Sequence, residues 1–205
     1  MEETTMFDFE DGEGLVPAHR HTNPDGSIGG WVADTATVAD TAYIGADAWV
    51  CDTAKVFGNA RVLDDARVCE QAQVCDEAQV YGKAWVFDKA VVSGDVRVFG
   101  EAVVSGEAQV YGDAWVFGEA WVYDKAVVSG KAVVYDKVRI SGEAVVSGEV
   151  RVFGNAKIYG QAQVYGDAQV FGDAWVFGDA WVYGQAQVFG EARVFGEARV
   201  FGAVR

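Results

Sequence analysis

A six-residue period runs through this chain without a break, and it constrains the fold more than any other feature. From residue 30 to residue 203 the sequence divides into 29 consecutive hexads with no insertion or deletion. The third position of a hexad is always Val or Ile, the first is almost always Ala, and the fifth is mostly Gly or Asp. A period of six does not stay in phase with the 3.6 residues of a helical turn, but it suits a short strand followed by a corner. The pattern therefore predicts a β-solenoid, with one strand and one corner per hexad.

Alternation within each hexad predicts which side chains are buried. The first and third positions share one face of a strand, and the second and fourth share the other. We therefore expect Ala and Val to point inward, and the Trp, Phe, Tyr, Arg and Gln residues to point outward. Gly and Asp suit the corner, because they tolerate unusual backbone angles or bond to the nearby backbone.

Segments such as "VFGDA" and "IGADA" carry a branched aliphatic residue and, four positions later, a small one. In this the chain resembles the hexapeptide-repeat proteins. The resemblance implies an all-β fold: a single-stranded, left-handed parallel β-helix, shaped as a triangular prism with three hexads in each 18-residue coil. We expect about ten coils over residues 30–205, and an N-terminal lead-in and cap over residues 1–29. The entry "NPDGSIGGWVADTATV" is similar to bacterial and phage members of unassigned function, some of which carry a transferase label.

The corner charges support the same coil length independently. The sixth-position residues Lys89, Glu107, Lys125 and Glu143 are 18 apart and alternate in sign. Stacked coils would otherwise bring like charges together, which is destabilising.

Two outward columns are candidate interaction surfaces. The first is a fourth-position column of aromatic residues: Tyr81, Phe99, Phe117, Tyr135, Phe153, Phe171 and Phe189. The second mixes Trp and Arg at the second position: Trp49, Arg67, Trp85, Trp121, Arg139, Trp175 and Arg193. We expect cation–π contacts along the second column. The first has three interpretations: a ladder that stabilises the rod, a self-association face, or a platform for an extended carbohydrate.

Charge and composition narrow the partners and the compartment. A net charge of −15 argues against nucleic acid and anionic membranes as partners. The acidic start has no secretory signal, and no stretch approaches the ~20 apolar residues of a membrane span, so we expect a soluble, cytoplasmic protein. Cys51 and Cys69 are 18 residues apart and hence stacked, with Cys75 on the next face. The first two are close enough in principle for a disulfide, but stacked parallel side chains do not guarantee the torsion that it requires. In a reducing cytosol we expect free thiols.

Catalysis finds little support in the sequence. Enzymes among the hexapeptide-repeat proteins are mostly acyltransferases that use a His base near a loop leaving the helix. Here the two His residues, His19 and His21, precede the repeat, and the repeat has no inserted loop. We interpret "HRHTNPD" as a solvated loop rather than a metal site. The sequence therefore predicts no catalytic residue, no cofactor and no metal.

The function favoured by the sequence is a non-catalytic structural or assembly module, an acidic rod that forms homo-oligomers. Contact is expected through the aromatic column or through the C-terminal end. At that end Val204 begins a thirtieth hexad, and Val194, Val200 and Val204 are expected to be exposed. Two alternatives stay open: an acyltransferase-like enzyme or its relic, and binding of an extended glycan along the aromatic or Trp column.

Overall fold

The computed structural model describes residues 5–204, with side chains through residue 202, and this range consists of β-strands and turns. β1 (Met6–Asp8), β2 (Leu15–Thr22) and β3 (Ile28–Ala33) form an antiparallel meander, with β2 in the middle. All pairings described after β3 are parallel, and they build three sheets of ten parallel strands each. The chain is therefore a parallel β-solenoid, as the hexads predict.

The three sheets are called faces one, two and three. Face one continues from β3 with β6 (Trp49–Val50), β9 (Arg67–Val68), β12 (Trp85–Val86), β15 (Val103–Val104), β18 (Trp121–Val122), β21 (Arg139–Ile140), β24 (Lys157–Ile158), β27 (Trp175–Val176) and β30 (Arg193–Val194). Face two comprises β4 (Thr37–Val38), β7 (Lys55–Val56), β10 (Gln73–Val74), β13 (Val91–Val92), β16 (Gln109–Val110), β19 (Val127–Val128), β22 (Val145–Gly148), β25 (Gln163–Gly166), β28 (Trp181–Val182) and β31 (Arg199–Val200). Face three comprises β5 (Tyr43–Ile44), β8 (Arg61–Val62), β11 (Gln79–Val80), β14 (Arg97–Val98), β17 (Trp115–Val116), β20 (Val133–Val134), β23 (Arg151–Val152), β26 (Gln169–Val170), β29 (Gln187–Val188) and β32 (Ala203–Val204).

The strand register confirms the 18-residue coil. Trp85 pairs with Val103 and Val86 with Val104, and the same offset recurs along all three faces. Nine steps at ~4.8 Å give a stack roughly 43 Å long. The corner charges meet as expected: Lys89 Nζ lies 3.9 Å from Glu107 Oε1.

The last coil departs from this register. Val204 pairs with Val188, which lies 16 rather than 18 residues earlier in the chain. The prediction that Val204 begins a thirtieth hexad is therefore wrong. The shorter coil brings an apolar residue to the register of the buried third-position column, and pairing register follows the apolar pattern in this way.

The core is the predicted column of small and branched residues. From Ala42 to Val188 every first- and third-position side chain is fully buried. The prediction that Val194 is exposed is wrong: it is 4% exposed and belongs to the core. Val200 is only partly buried and packs against this core. The predicted exposure of Val204 lies outside the described side chains.

The corners explain why the fifth position takes Gly or Asp. Every fifth-position residue from Asp52 to Gly196 has positive φ, which Gly adopts readily and Asp tolerates. Asp adds a second contribution, because the Asp64 carboxylate accepts a hydrogen bond from the Gly82 N–H of the next coil at 3.0 Å. Equivalent bonds join Asp52 to Glu70, Asp76 to Gly94, Asp88 to Gly106, Asp124 to Gly142 and Asp136 to Gly154. These carboxylates thus satisfy backbone donors between coils.

The N-terminal segment caps the first coil with buried polar side chains. Asn23 Oδ1 accepts from the Ile44 N–H at 2.8 Å, and Asn23 Nδ2 donates to the Ile44 carbonyl at 3.1 Å. His21 Nε2 lies 3.2 Å from the Ala42 carbonyl oxygen, and the side chain is buried. The interpretation of this stretch as a solvated loop is therefore wrong at His21, because the backbone groups at this end of the stack require partners. His19 is exposed and lies 2.8 Å from Asp34.

Candidate interaction surfaces

The aromatic column forms a continuous ladder on face three. The ring centroids of Phe99 and Phe117 are 4.7 Å apart and nearly parallel. The other consecutive pairs, Tyr81–Phe99, Phe117–Tyr135, Tyr135–Phe153, Phe153–Phe171 and Phe171–Phe189, are 4.8–5.3 Å apart with interplanar angles of 1–9°. This spacing equals the coil rise, so each ring stacks on the ring of the next coil.

The ladder is covered on its ring faces and open along its edges. All seven rings are half-buried, and each inner ring has a neighbour on both faces. A sugar that binds an aromatic residue needs an uncovered ring face. The ladder offers a ridge of ring edges, roughly 30 Å long at this coil rise, which suits packing against another apolar surface better than stacking on a carbohydrate.

The second-position column beside the ridge differs in charge from the corners that border face three. This column has no acidic residue: Tyr43, Arg61, Gln79, Arg97, Trp115, Val133, Arg151, Gln169 and Gln187. The corners on both sides carry mostly exposed acids: Asp95, Asp113, Glu149 and Asp167 on one side, and Glu101, Glu119, Asp173 and Glu191 on the other. Lysines interrupt both corners, and Lys131 pairs with Glu149 at 3.5 Å and Lys137 with Glu119 at 3.7 Å. Arg97 stacks on Trp115 at 4.9 Å, and its buried Nε has no hydrogen-bond partner among the described residues. Face three therefore combines an apolar ridge, a basic column and acidic margins.

The Trp column on face one makes the predicted cation–π contacts. The Arg67 guanidinium lies 4.1 Å from the Trp49 ring centroid and 5.2 Å from that of Trp85. Further contacts join Arg139 to Trp121, and Lys157 and Arg193 to Trp175, at 4.5–5.7 Å. Because Arg67 occupies ring surface on two Trp residues, this part of the column is less open to carbohydrate stacking.

The cysteines differ from expectation. Cys51 and Cys69 are joined by a disulfide, so the prediction of free thiols is wrong for this pair. The coil register places their Cα atoms 4.6 Å apart, within the range that a disulfide bridges. Cys75 on face two is a free, buried thiol. Burial, followed by the negative charge of Asp76, raises the pKa of the Cys75 thiol above its ordinary value, so the reactive thiolate is disfavoured.

A cavity of about 320 Å³ lies between the N-terminal segment and face one. Phe9, Arg67, Glu70 and Trp85 are among its lining residues. Arg67 also pairs with Glu10 at 3.1 Å. The pKa of Glu70 is raised, first by desolvation and then by the carboxylates of Asp88 and Asp52, its neighbours in the corner column. The pattern of stacked acids is visible in the sequence, but the folding of the N-terminal segment over them is not.

A second cavity, of about 270 Å³, interrupts the fourth-position column of face one. It is lined by Tyr123, Arg139, Ser141, Lys157 and Tyr159. The sequence shows Ser141 only as an interruption of an aromatic column. The sequence does contain a signal for this cavity. Ser141 lies one coil from Tyr123 and one coil from Tyr159, and Arg139 and Lys157 are adjacent in the neighbouring column.

The comparisons with known proteins agree with this architecture. Residues 108–124, 162–176 and 168–184 match the family model described as the YdcK beta solenoid repeat. No curated protein matches the chain. With its stacked parallel coils, the chain is a β-solenoid repeat protein. Among residues 5–204, no helix has the length and apolar character needed to cross a membrane.

Proposed function

We propose that this chain is a non-catalytic assembly module: a rigid, acidic solenoid that pairs with a second copy of itself through face three. The observation that carries the proposal is the unbroken ladder of seven rings with exposed edges. An apolar ridge of this length on a protein surface typically marks a contact with a partner. We also propose that the coils wind left-handed and that the chain belongs to the hexapeptide-repeat proteins. Both proposals rest on the resemblance of the sequence to that family.

A second copy is the favoured partner because face three is complementary to itself. Two faces related by a two-fold axis that runs along their ladders have antiparallel strands, and they bring the arginine-bearing column of each copy towards the corner of the other that carries Glu101, Glu119, Asp173 and Glu191. Such a two-fold contact is self-complementary and closed, and it repeats every interaction twice. Charge pairs at its margins favour one register over others and make association depend on salt.

The polar groups of the repeat support a structural role. Corner carboxylates such as Asp64 and Asp136 accept hydrogen bonds from backbone N–H groups of the next coil. His21 bonds to the backbone of the first coil. These groups are engaged in holding the coils together, and a general acid or base needs to face a substrate instead.

Sedimentation of ladder variants tests the proposal. The parent is expected to sediment as a dimer, and Phe117→Lys combined with Phe153→Lys is expected to sediment as a folded monomer. The matched control is Phe57→Lys with Tyr111→Lys, which changes two exposed fourth-position rings on face two and should leave the dimer intact. A parent that is monomeric at the highest attainable concentration contradicts the proposal.

A second pair of variants separates loss of contact from loss of folding. Gln169→Glu adds a charge to the acid-free column of face three without removing a ring, whereas Gln163→Glu makes the same change on face two. Both should melt as the parent does, since both positions are half-buried and outward. Only Gln169→Glu is expected to weaken the dimer, and equal dimer strength in the two variants contradicts the choice of face three.

A further inference from the structure

We propose that the gap at Ser141 on face one is a binding slot for a planar aromatic ring that carries a carboxylate. The slot is distinct from the ladder on face three, and the inference does not rest on self-association. Its floor is Ser141, its two walls are Tyr123 and Tyr159, and Arg139 and Lys157 lie along one side.

The walls are spaced to accept one ring. Tyr123 and Tyr159 occupy the same column two coils apart, so their rings are separated by roughly 9–10 Å. On face three the same separation is filled by one intervening ring, as when Phe117 lies 4.7 Å from Phe99 and 5.1 Å from Tyr135. A flat ring entering above Ser141 therefore takes the place of a missing rung.

The ring surfaces that face the gap are uncovered. Tyr159 stacks on Phe177 at 5.0 Å, which covers the face pointing away from Ser141. Tyr123 has no stacked ring neighbour among the described residues. The inner rings of the face-three ladder are covered on both faces by their neighbours, so this gap differs from the ladder in offering open π surfaces.

Two cations give the slot its charge preference. Arg139 and Lys157 are direct neighbours in the strand register, and neither forms a salt bridge with a described residue. Each is held beside a Trp ring, Arg139 at 5.7 Å from Trp121 and Lys157 at 4.5 Å from Trp175. Adjacent, uncompensated positive charges are unusual on a chain with a net charge of −15, and they suit a carboxylate on the bound ring.

The neighbouring acid does not oppose this preference directly. The Asp124 carboxylate lies at the corner next to the slot, where it accepts a hydrogen bond from the Gly142 N–H at 3.0 Å. It is not among the residues that line the cavity. The cavity volume of about 270 Å³ is below the ~300–1,000 Å³ of sites for drug-sized ligands, so a single-ring acid is the appropriate size.

Calorimetric titration of the full chain tests the slot with three probes. Benzoate supplies a flat ring and a charge, benzyl alcohol the ring alone, and cyclohexanecarboxylate the charge on a puckered ring. We expect saturable binding of benzoate with one site per chain, and at least tenfold weaker binding of the other two. Absence of saturable benzoate binding, or equal binding of cyclohexanecarboxylate, overturns the proposal.

Variants locate the binding. Ser141→Phe fills the slot with its own ring and is expected to abolish benzoate binding, without lowering the melting temperature, because it completes the stack between Tyr123 and Tyr159. The control is Ser105→Phe, which fills the neighbouring gap in the same column, beside Val103 rather than Arg139. This variant should bind benzoate as the parent does. Arg139→Gln with Lys157→Gln should reduce the preference for benzoate over benzyl alcohol to less than threefold. Unchanged benzoate binding in Ser141→Phe overturns the assignment of the site.

Discussion

At the scale of single residues, each hexad position has one dominant physical role. Val at the third position fills the prism, and Ala at the first leaves room for it. Asp at the fifth combines tolerance of positive φ with a carboxylate that accepts the next coil's N–H. The aromatic residues at the fourth position stack at the coil rise. Because the roles differ so sharply, substitutions only a few residues apart should have very different consequences.

The inward column is tested by Val116→Asp. Val116 is fully buried in β17, so the substitution places an unpaired carboxylate in the core and should cost several kcal/mol of unfolding free energy. Gln109→Ala, on the exposed side of β16, should cost less than ~0.5 kcal/mol. Denaturant or thermal unfolding measures both, and similar losses would refute the assignment of the third position to the core.

The acidic corner column gives a pH-dependent prediction. The folded-state pKa of Glu70 is raised, so its charged form opposes folding, and this penalty grows as pH rises from the unfolded pKa to the folded one. Glu70→Gln should therefore melt at a higher temperature than the parent at pH 7, and the difference should vanish below about pH 4.

Asp76→Asn is the control for this effect. Asp76 has Gly58 and Gly94 as its neighbours in the corner column, so no like charge is relieved when its carboxylate is neutralised. No gain in melting temperature at pH 7 is expected for this variant. If the difference in melting temperature between Glu70→Gln and the parent is the same at pH 7 and below about pH 4, the explanation by like-charge repulsion and desolvation is wrong.

At the scale of strands and coils, the sequence predicts what depends on periodicity and misses what depends on single contacts. The hexads predict the strands, the three faces, the 18-residue register and the ladder, because each is a repeated local pattern. The buried roles of His21 and Asn23 were missed, because they depend on where a non-repetitive segment folds back. The pairing of Val204 with Val188 was not predicted, because the last coil is two residues shorter than the 18-residue period of the coils before it.

The cysteine pair belongs to this scale because it links two coils. Their stacking was predicted, but an argument from compartment led to the expectation of free thiols. The disulfide predicts that the denatured, unreduced chain has one titratable thiol, Cys75, and that reduction raises this to three. In the native chain Cys75 should react slowly, because it is buried and its thiol pKa is raised. Three thiols before reduction would contradict the pairing.

At the scale of the whole molecule, the chain is a β-solenoid whose three faces carry different side chains. Face one carries the Trp column, the disulfide and the gap at Ser141, whereas face three carries the complete ladder. The architecture followed from the sequence because a solenoid is the sum of its repeats. The choice of partner did not follow from the sequence. It depends on which ring faces are covered and which charges remain unpaired, and only the three-dimensional structure shows these.

The measurement that tests the central claim most directly is site-specific photo-crosslinking of the purified chain. Benzoylphenylalanine at Gln169 places the probe beside the ladder on face three, and the same probe at Gln163 occupies the equivalent second position on face two. Both sites are half-buried and outward, so their reactivity towards a bound partner is comparable. A crosslinked dimer is expected from Gln169 and almost none from Gln163. Equal crosslinking at the two sites, or a crosslink at Gln163 alone, would contradict self-association through the aromatic face.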